Sequence, residues 1–334
     1  MKKSNLKTII LTEGGVKAGL GQITRCASIY RALEERGFEP ELLINGDDSV
    51  TPIVEGQNFK LFNWQERQDE VVAMLAMTDI AVIDSYRADR SFYQKASDLV
   101  KVPIFFDDTR RIEYPRGYVI NGAFNAESLD YPRKKGVRHL LGIRYFPLRR
   151  ECWDLPPRTV APRVTTVLIT FGGSDEKRMT PKVLEFLGDG RPGLAKIVVF
   201  GKGFSHRDEI RRVADGKTQL LTDPDGPSWR RAMIACDIAI SAAGQTLYEL
   251  LRSGLPTIAV QVIDNQADNV RGLTRAGAIG FAGLVEDSLT LQNIAAFLAA
   301  WDAPEDRQAL ADRGQALIDG RGCRRIVDQI LRDL

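Results

Sequence analysis

The feature that most constrains this chain is a pattern written twice: a short β-branched run, then a glycine-rich loop, then a helical stretch. The first copy runs from residues 8–11 through the loop 14–21 into a helix over 23–36, closed by Gly37. Along that helix Cys26, Ile29, Tyr30 and Leu33 recur at helical spacing. Residues 41–44, 80–83 and 102–106 read as further strands, the last two ending in Asp84-Ser85-Tyr86 and Asp107-Asp108, and 70–77 reads as a helix. The second copy opens with a strand over 164–170 that leads into Phe171-Gly172-Gly173-Ser174-Asp175. Strand 197–200 then precedes Gly201-Lys202-Gly203, and 238–241 precedes Ala243-Gly244. A helix over 247–252 closes at Gly254, 257–260 is a buried strand, and 289–334 reads as helical. Between the copies, residues 147–162 carry Pro156, Pro157 and Pro162 and read as a linker. Strands alternating with helices build a parallel sheet covered on both faces. The expectation is an α/β chain of two Rossmann-like, doubly wound domains, 1–150 and 163–334, facing a central cleft. Ligands would bind at the carboxyl ends of the strands.

With 334 residues, both domains are large enough to bury a core. Lys and Arg number 46 against 44 Asp and Glu, a net charge of +2, so nothing electrostatic argues for nucleic acid or an anionic membrane as partner. The four cysteines form no C-x-x-C pair and the two histidines, His139 and His206, stand alone. A structural zinc site is therefore not expected, and neither is any other metal or cofactor. After the basic start, Lys2 to Lys7, the apolar run ends at Leu11, and no run of about 18 apolar residues follows. The chain reads as soluble and cytoplasmic, without stable membrane insertion.

Three loops carry the chemistry. Gly14, Gly15, Gly19 and Gly21 lie between a strand and a helix whose first N–H groups face forward with partial positive charge. A dinucleotide fingerprint would need a further glycine where Thr24 stands, although Asp47 and Asp48 fall near the place of a ribose-binding acid. Gly172, Gly173 and Ser174, with Lys202 after the next strand, could hold phosphate oxygens on backbone N–H groups. The third loop runs Ser241-Ala242-Ala243-Gly244-Gln245-Thr246 and is followed in the helix by Glu249, where a carboxylate could accept both hydroxyls of a ribose. Asn265-Gln266 follows the next strand. Singly, each loop is also compatible with a plain turn, and Glu249 with a helical surface charge.

Taken in order, these segments resemble a family. The chain is similar to the nucleotide-sugar enzymes of the pseudaminic acid pathway, the UDP-sugar hydrolase PseG and its spore-coat-polysaccharide relatives, which are cousins of the glycosyltransferase MurG and share its two-lobed GT-B fold. The family's G-x-G-H-x-x-R loop meets Gly19-Leu20-Gly21-Gln22-Ile23-Thr24-Arg25, and its I-D-x-Y meets Ile83-Asp84-Ser85-Tyr86. Phe106-Asp107-Asp108 matches F-D-D, and Gly172-Gly173-Ser174-Asp175 matches G-G-x-D. The helix from Ser241 to Leu250, the pair Asn265-Gln266 and the late Asp319-Gly320-Arg321-Gly322 complete seven motifs across about 310 residues. The resemblance implies UDP held mainly by the C-terminal lobe, with Glu249 on the ribose and the Gly244–Thr246 turn on the diphosphate, while the N-terminal lobe holds the sugar and supplies the base.

The sequence departs from the family at the histidine, which here is Gln22, and at Thr12-Glu13-Gly14-Gly15, where R-x-D is usual. Imidazole can take a proton near neutral pH and a carboxamide cannot. Three readings of Gln22 stand open: an inactivated variant that traps a ligand, a natural relative whose base is Glu13 or Asp84, or a sugar transferase with an acceptor activated otherwise. The candidate catalytic residues are Gln22, Glu13, Asp84 and Tyr86. Arg25 and Lys202 are candidates for the diphosphate charge or for a solvated surface; His139 and His206 read as surface or structural. The activity implied is inverting hydrolysis at the anomeric carbon of a UDP-linked amino- or deoxy-sugar, with no metal. The alternatives are a glycosyltransferase passing the sugar to a glycan or protein, and a UDP-sugar binding protein without turnover.

Overall fold

The computed structural model describes residues 6–16, 19–201, 203–332 and 334. Lys202 and the lysines at positions 2 and 3 lie outside the described residues. The chain divides into two units, the first comprising Met1–Arg150 and Arg321–Leu334, the second Glu151–Gly320.

In the first unit the elements follow in the order β1 (Thr8–Gly14), α1 (Gly21–Glu34), β2 (Glu41–Gly46), α2 (Thr51–Val54), β3 (Phe59–Leu61), α3 (Gln68–Leu75) and β4 (Ile80–Asp84), then α4 (Arg90–Leu99), β5 (Val102–Phe106), β6 (Gly117–Asn121) and β7 (Val137–Leu141). The seven strands form one sheet in the order β3-β2-β1-β4-β5-β6-β7, and every pairing is parallel. β1, β4 and β5 are buried along their whole length, as expected of central strands covered on both faces. Order reverses between β1 and β4, where Thr12 pairs with Asp84, so the loops after these two strands diverge at the topological switch point.

The second unit contains β8 (Thr166–Thr170), α5 (Met179–Gly190), β9 (Ala195–Phe200), α6 (Arg207–Val213), β10 (Thr218–Thr222), α7 (Gly226–Ala235), β11 (Ile238–Ala242) and α8 (Thr246–Arg252). It continues with β12 (Thr257–Gln261), α9 (Ala267–Arg275), β13 (Gly280–Leu284), α10 (Thr290–Ala300) and α11 (Pro304–Leu317). Its sheet is again all parallel, in the order β10-β9-β8-β11-β12-β13, with the switch point between β8 and β11.

The sequence boundary needs correction at its C-terminal end. The tail is three helices, and the last, α12 (Gly322–Leu331), belongs to the first unit. Ile326, Val327 and Ile330 bury its apolar face, and the rim is pinned to the end of α1 by Arg36 on Asp328 (2.8 Å) and by Arg324 on Glu35 (2.8 and 2.9 Å). The proline-rich segment is likewise no free tether. From Glu151 on it is part of the second unit, where the Arg158 N–H donates to Gln315 (2.9 Å) and its guanidinium to the Met233 carbonyl (3.1 Å).

Candidate functional site

At the switch point of the first sheet, the loop after β1 folds back on itself. Gly15 and Gly19 exchange backbone hydrogen bonds of 3.0 and 2.9 Å, and α1 starts at Gly21 with no side chain capping it. Gly14 serves packing rather than a ligand: a Cβ there would stand 2.6 Å from Ile23 and 2.8 Å from the Gly19 carbonyl, so only glycine lets the helix close on the strand end. Gly14 and Gly15 are buried, while Gly19 and Gly21 are exposed. Asp47, which the sequence put near a ribose-binding acid, accepts instead from the N–H groups of Val16 (3.1 Å) and Ser49 (3.0 Å) and holds the hairpin.

Three carboxylates converge here. Arg25, 5% exposed, lies between two of them: Nε and Nη2 engage Asp84, the latter at 2.6 Å, and Nη1 lies 2.7 and 2.9 Å from the two oxygens of Asp108. Its guanidinium also covers the Phe106 ring, 5.1 Å from the centroid. Arg25 is thus neither a diphosphate ligand nor a solvated surface group; its charge is spent compensating buried acids. The third acid, Glu13, is buried and accepts from the Ser85 hydroxyl (2.8 Å), the Tyr86 N–H (2.9 Å) and the Gln65 amide. Tyr86, half exposed, donates its hydroxyl to Asp108. Loss of water around that hydroxyl and the charge of Asp108 push the phenol well above its ordinary range. Burial acts to raise the Asp108 carboxyl, but the Arg25 guanidinium and the Tyr86 hydroxyl outweigh it and hold the group below the usual carboxylate range.

Gln22 sits beside this network with its Nε2 donating to Asp84 Oδ1 at 3.1 Å. An ionised carboxylate offers only lone pairs, so the contact fixes the amide orientation and turns Oε1 away as an acceptor. Both candidate bases are densely hydrogen-bonded: Asp84 accepts from Gln22, Arg25 and the Cys26 thiol (3.7 Å), and Glu13 accepts from the loop after β4 and from Gln65. Asp108, present in the sequence reading only as part of F-D-D, is the residue that was missed. Its neighbour Asp107 points elsewhere, accepting from the Thr109 and Arg111 N–H groups (3.2 Å each) and the Tyr131 hydroxyl (3.0 Å).

In the second unit the loops after β8 and β11 flank the other switch point. Gly172 and Gly173 are exposed and Ser174 is half-buried. Beyond β11, Gly244, Gln245 and Thr246 are accessible, but Ser241 is fully buried with its hydroxyl on the Ala242 carbonyl (3.0 Å), so it packs within the sheet rather than facing a ligand. Glu249 is buried and accepts from the Trp229 indole N–H at 2.7 Å, a partner on α7 that sequence reasoning did not find. Gln266 accepts from the Val262 N–H (2.8 Å) through Oε1, which fixes its amide, and its Nε2 lies 3.7 Å from where a Gly244 Cβ would stand. Asn265 beside it is exposed. Of the two histidines, His206 is buried and structural; His139, on β7, is half-buried against the Tyr131 ring, and burial lowers its pKa.

Both units carry the Rossmann-like topology of the GT-B glycosyltransferases. Over 98% of this chain and 99% of the other, the structure superposes on MurG of Acinetobacter baumannii with a TM-score of 0.67 at 12% identity. It superposes on HepE of Anabaena, solved with UDP and glucose, with a TM-score of 0.63 at 13% identity over 99% and 100% of the two chains. By sequence the chain is 24% identical over 261 residues to the pseudaminic acid cytidylyltransferase and UDP-2,4-diacetamido-2,4,6-trideoxy-β-L-altropyranose hydrolase of Helicobacter pylori, matching 77% of this chain and 44% of that protein. It is 26% identical over 233 residues to the spore coat polysaccharide biosynthesis protein SpsG of Bacillus subtilis, matching 68% and 59%. No protein-family model matches. The chain spans about half the length of the curated relatives it matches. Its homologues thus include PseG-like and SpsG-type proteins, and its fold is GT-B. Among the described residues no helix is long and apolar enough to cross a membrane.

Proposed function

We propose that this chain acts at the anomeric carbon of a UDP-linked amino- or deoxy-sugar, as a hydrolase that releases UDP with inversion. The observation that carries the proposal is the Gln22–Asp84 hydrogen bond at the switch point of the first sheet, at the position where the PseG-like motif has histidine. In the proposed reaction a water held by Gln22 Oε1 attacks the anomeric carbon as the bond to the opposite UDP oxygen breaks. The bonding electron pair leaves with UDP, and the water's proton passes to bulk solvent, with no side chain taking it in the transition state. As the bond to UDP breaks, positive charge develops on the sugar, and Asp84 and Asp108, two carboxylates against the single Arg25 charge, would supply a negative field that favours it. Asp108 and the Tyr86 hydroxyl would bond sugar hydroxyls. In the second unit, Glu249 would take the ribose, and the backbone of 172–174 and 244–246, with Gln266, Asn265, Gln245 and Thr246, the diphosphate. HepE solved with UDP and the name of the Helicobacter relative support UDP as the nucleotide.

The lack of a proton acceptor at position 22 supports a second reading, in which the sugar passes to a glycan or protein acceptor activated by other means. UDP release from a UDP-sugar, measured in water and again with candidate acceptors, separates the two. Release in water alone supports hydrolysis; release only with an acceptor supports transfer, and none under either condition overturns both.

Two further outcomes follow from the nucleotide assignment. Loss of charge-assisted hydrogen bonds costs about 1.5–3 kcal/mol, so Glu249→Ala should weaken UDP roughly tenfold to a hundredfold. Because Glu249 also holds the buried Trp229 indole, Glu249→Gln is the cleaner variant: it keeps an acceptor for that N–H and should still lose affinity by calorimetry. An unchanged dissociation constant in both would remove Glu249 from the site. Backbone N–H groups need no bridging cation to hold a diphosphate. UDP binding is therefore expected to survive excess EDTA, and its abolition would point to a metal-bridged diphosphate instead.

A further inference from the structure

The two glycine loops of the second unit are locked to each other by a buried pair that the catalytic scheme does not use. Asp175, at the end of Gly172-Gly173-Ser174-Asp175, has a fully buried side chain. Its Oδ1 accepts from the Met179 N–H at 2.9 Å and its Oδ2 from the Thr180 N–H at 2.8 Å, which caps α5. A third contact comes from the neighbouring strand's loop: His206 Nε2 lies 3.3 Å from Asp175 Oδ2. Since a carboxylate only accepts, Nε2 is the protonated ring nitrogen. His206 is 5% exposed, lies tilted against the Phe204 ring with centroids 5.2 Å apart, and stands at the start of α6.

The backbone around this pair is held in unusual shape and close contact. Asp175 and Arg178 both adopt left-handed conformations, at φ 45° and 55°, which non-glycine residues avoid unless their surroundings impose them. The Gly173 carbonyl oxygen nests between Gly201 and Gly203, where a Cβ would stand 2.9 or 2.7 Å from it. Meanwhile Gly172 and Gly173 themselves have open space beside them. The loop is thus held by close backbone contact on one side and left accessible on the other.

We infer that His206 is a positioning residue: through Asp175 it fixes the 172–174 loop against Gly201 and Gly203 so that its exposed backbone meets the diphosphate of the nucleotide. The inference rests on the reading that the second unit takes UDP. Its distinctive consequence is selectivity. The pair should matter for ligands that carry phosphate and not for the nucleoside.

The test measures UDP and uridine affinity by calorimetry for the unmodified protein, His206→Asn, His206→Gln and Gly201→Ala, with a thermal melt for each. Glutamine can present an N–H where His206 Nε2 lies, and asparagine falls short of it. His206→Asn is expected to weaken UDP about tenfold or more with uridine unchanged, and His206→Gln to restore UDP to within about threefold, since one hydrogen bond on a charged group is at stake. Gly201→Ala keeps the pair but pushes the Gly173 carbonyl away, so it should show the same selective loss even if His206→Asn folds poorly. Equal losses for UDP and uridine, or none in the folded variants, would overturn the positioning role while leaving UDP recognition in place. If the unmodified protein binds uridine and UDP equally, or neither, the nucleotide assignment itself fails, and this inference with it.

Discussion

Replacing Gln22 with histidine is expected to raise UDP-sugar hydrolysis by about 10²- to 10⁴-fold, the usual contribution of a positioned general base. The geometry makes that expectation specific. Gln22 donates Nε2–H to Asp84 and turns its other amide atom, a carbonyl oxygen, outward. A histidine in the same place would give one ring N–H to Asp84, which fixes its tautomer, and present the second nitrogen as a free base. Water held there would then have an acceptor for its proton as it attacks, which a carboxamide cannot supply. UDP affinity should hardly change, because the nucleotide is assigned to the second unit. Steady-state rates of UDP release with saturating UDP-sugar read the effect. A flat rate in Gln22→His, together with acceptor-dependent release by the unmodified protein, would replace hydrolysis with transfer.

Arg25→Leu is expected to cost the first unit about 3–5 kcal/mol, because removing one partner of a buried ion pair strands the other. Here it strands two, Asp84 and Asp108, whose side chains are 1% and 28% exposed. For a unit of this size, the loss corresponds to a fall of about 6–20 °C in its unfolding transition. The pH dependence carries its own sign. Asp108 has a depressed pKa in the folded protein, so its contribution to stability is complete above the ordinary aspartate value near ~3.9 and is lost as pH falls through the lower folded value. In Arg25→Leu that source of acid lability disappears, and the variant's deficit should shrink toward low pH as the stranded acids take up protons. A variant that melts within about 1 kcal/mol of the original at neutral pH would show that Arg25 is not the counter-charge of this network.

The residues that announced themselves in the sequence are those whose surroundings are uniform. β1, β4, β5, β11 and the inner part of β12 are buried on both faces, and each carries a short apolar core that marks it in the sequence. The edge strands were not legible, and neither was β6, although four of its five residues are buried. β3, β7 and β10 are half-exposed and carry Lys60, Arg138 and Gln219 in their runs, and β13 is interrupted by Gly280 and Gly283 at an irregular register. The helical tail was visible, but its destination was not. An amphipathic pattern such as Ile326, Val327 and Ile330 says which face is apolar, and nothing about which sheet it will cover.

The site divides in the same way. Glycine loops at strand ends were readable because turn chemistry is local. Arg25 was misassigned because its partners lie 59 and 83 residues further on, and a lone arginine looks the same whether it meets phosphate or aspartate. Glu249 could be placed by its motif, yet its indole partner 20 residues earlier leaves no mark in the sequence. Glu13 and Asp84 looked like bases because they are carboxylates at strand ends; their hydrogen bonds, which decide whether a carboxylate can accept a proton, come from other loops.

The most direct test of cleavage at the anomeric carbon is where the oxygen of water goes. UDP-2,4-diacetamido-2,4,6-trideoxy-β-L-altropyranose is incubated with the protein, unmodified and as Gln22→His, in water enriched in ¹⁸O, and the products are read by mass spectrometry and by the anomeric proton in NMR. Cleavage at the anomeric carbon with inversion puts ¹⁸O in the sugar and none in UDP, and gives an inverted anomeric configuration when the sugar is first formed. Label in the β-phosphate of UDP, or a nucleotide-sugar left intact by both proteins, would contradict it.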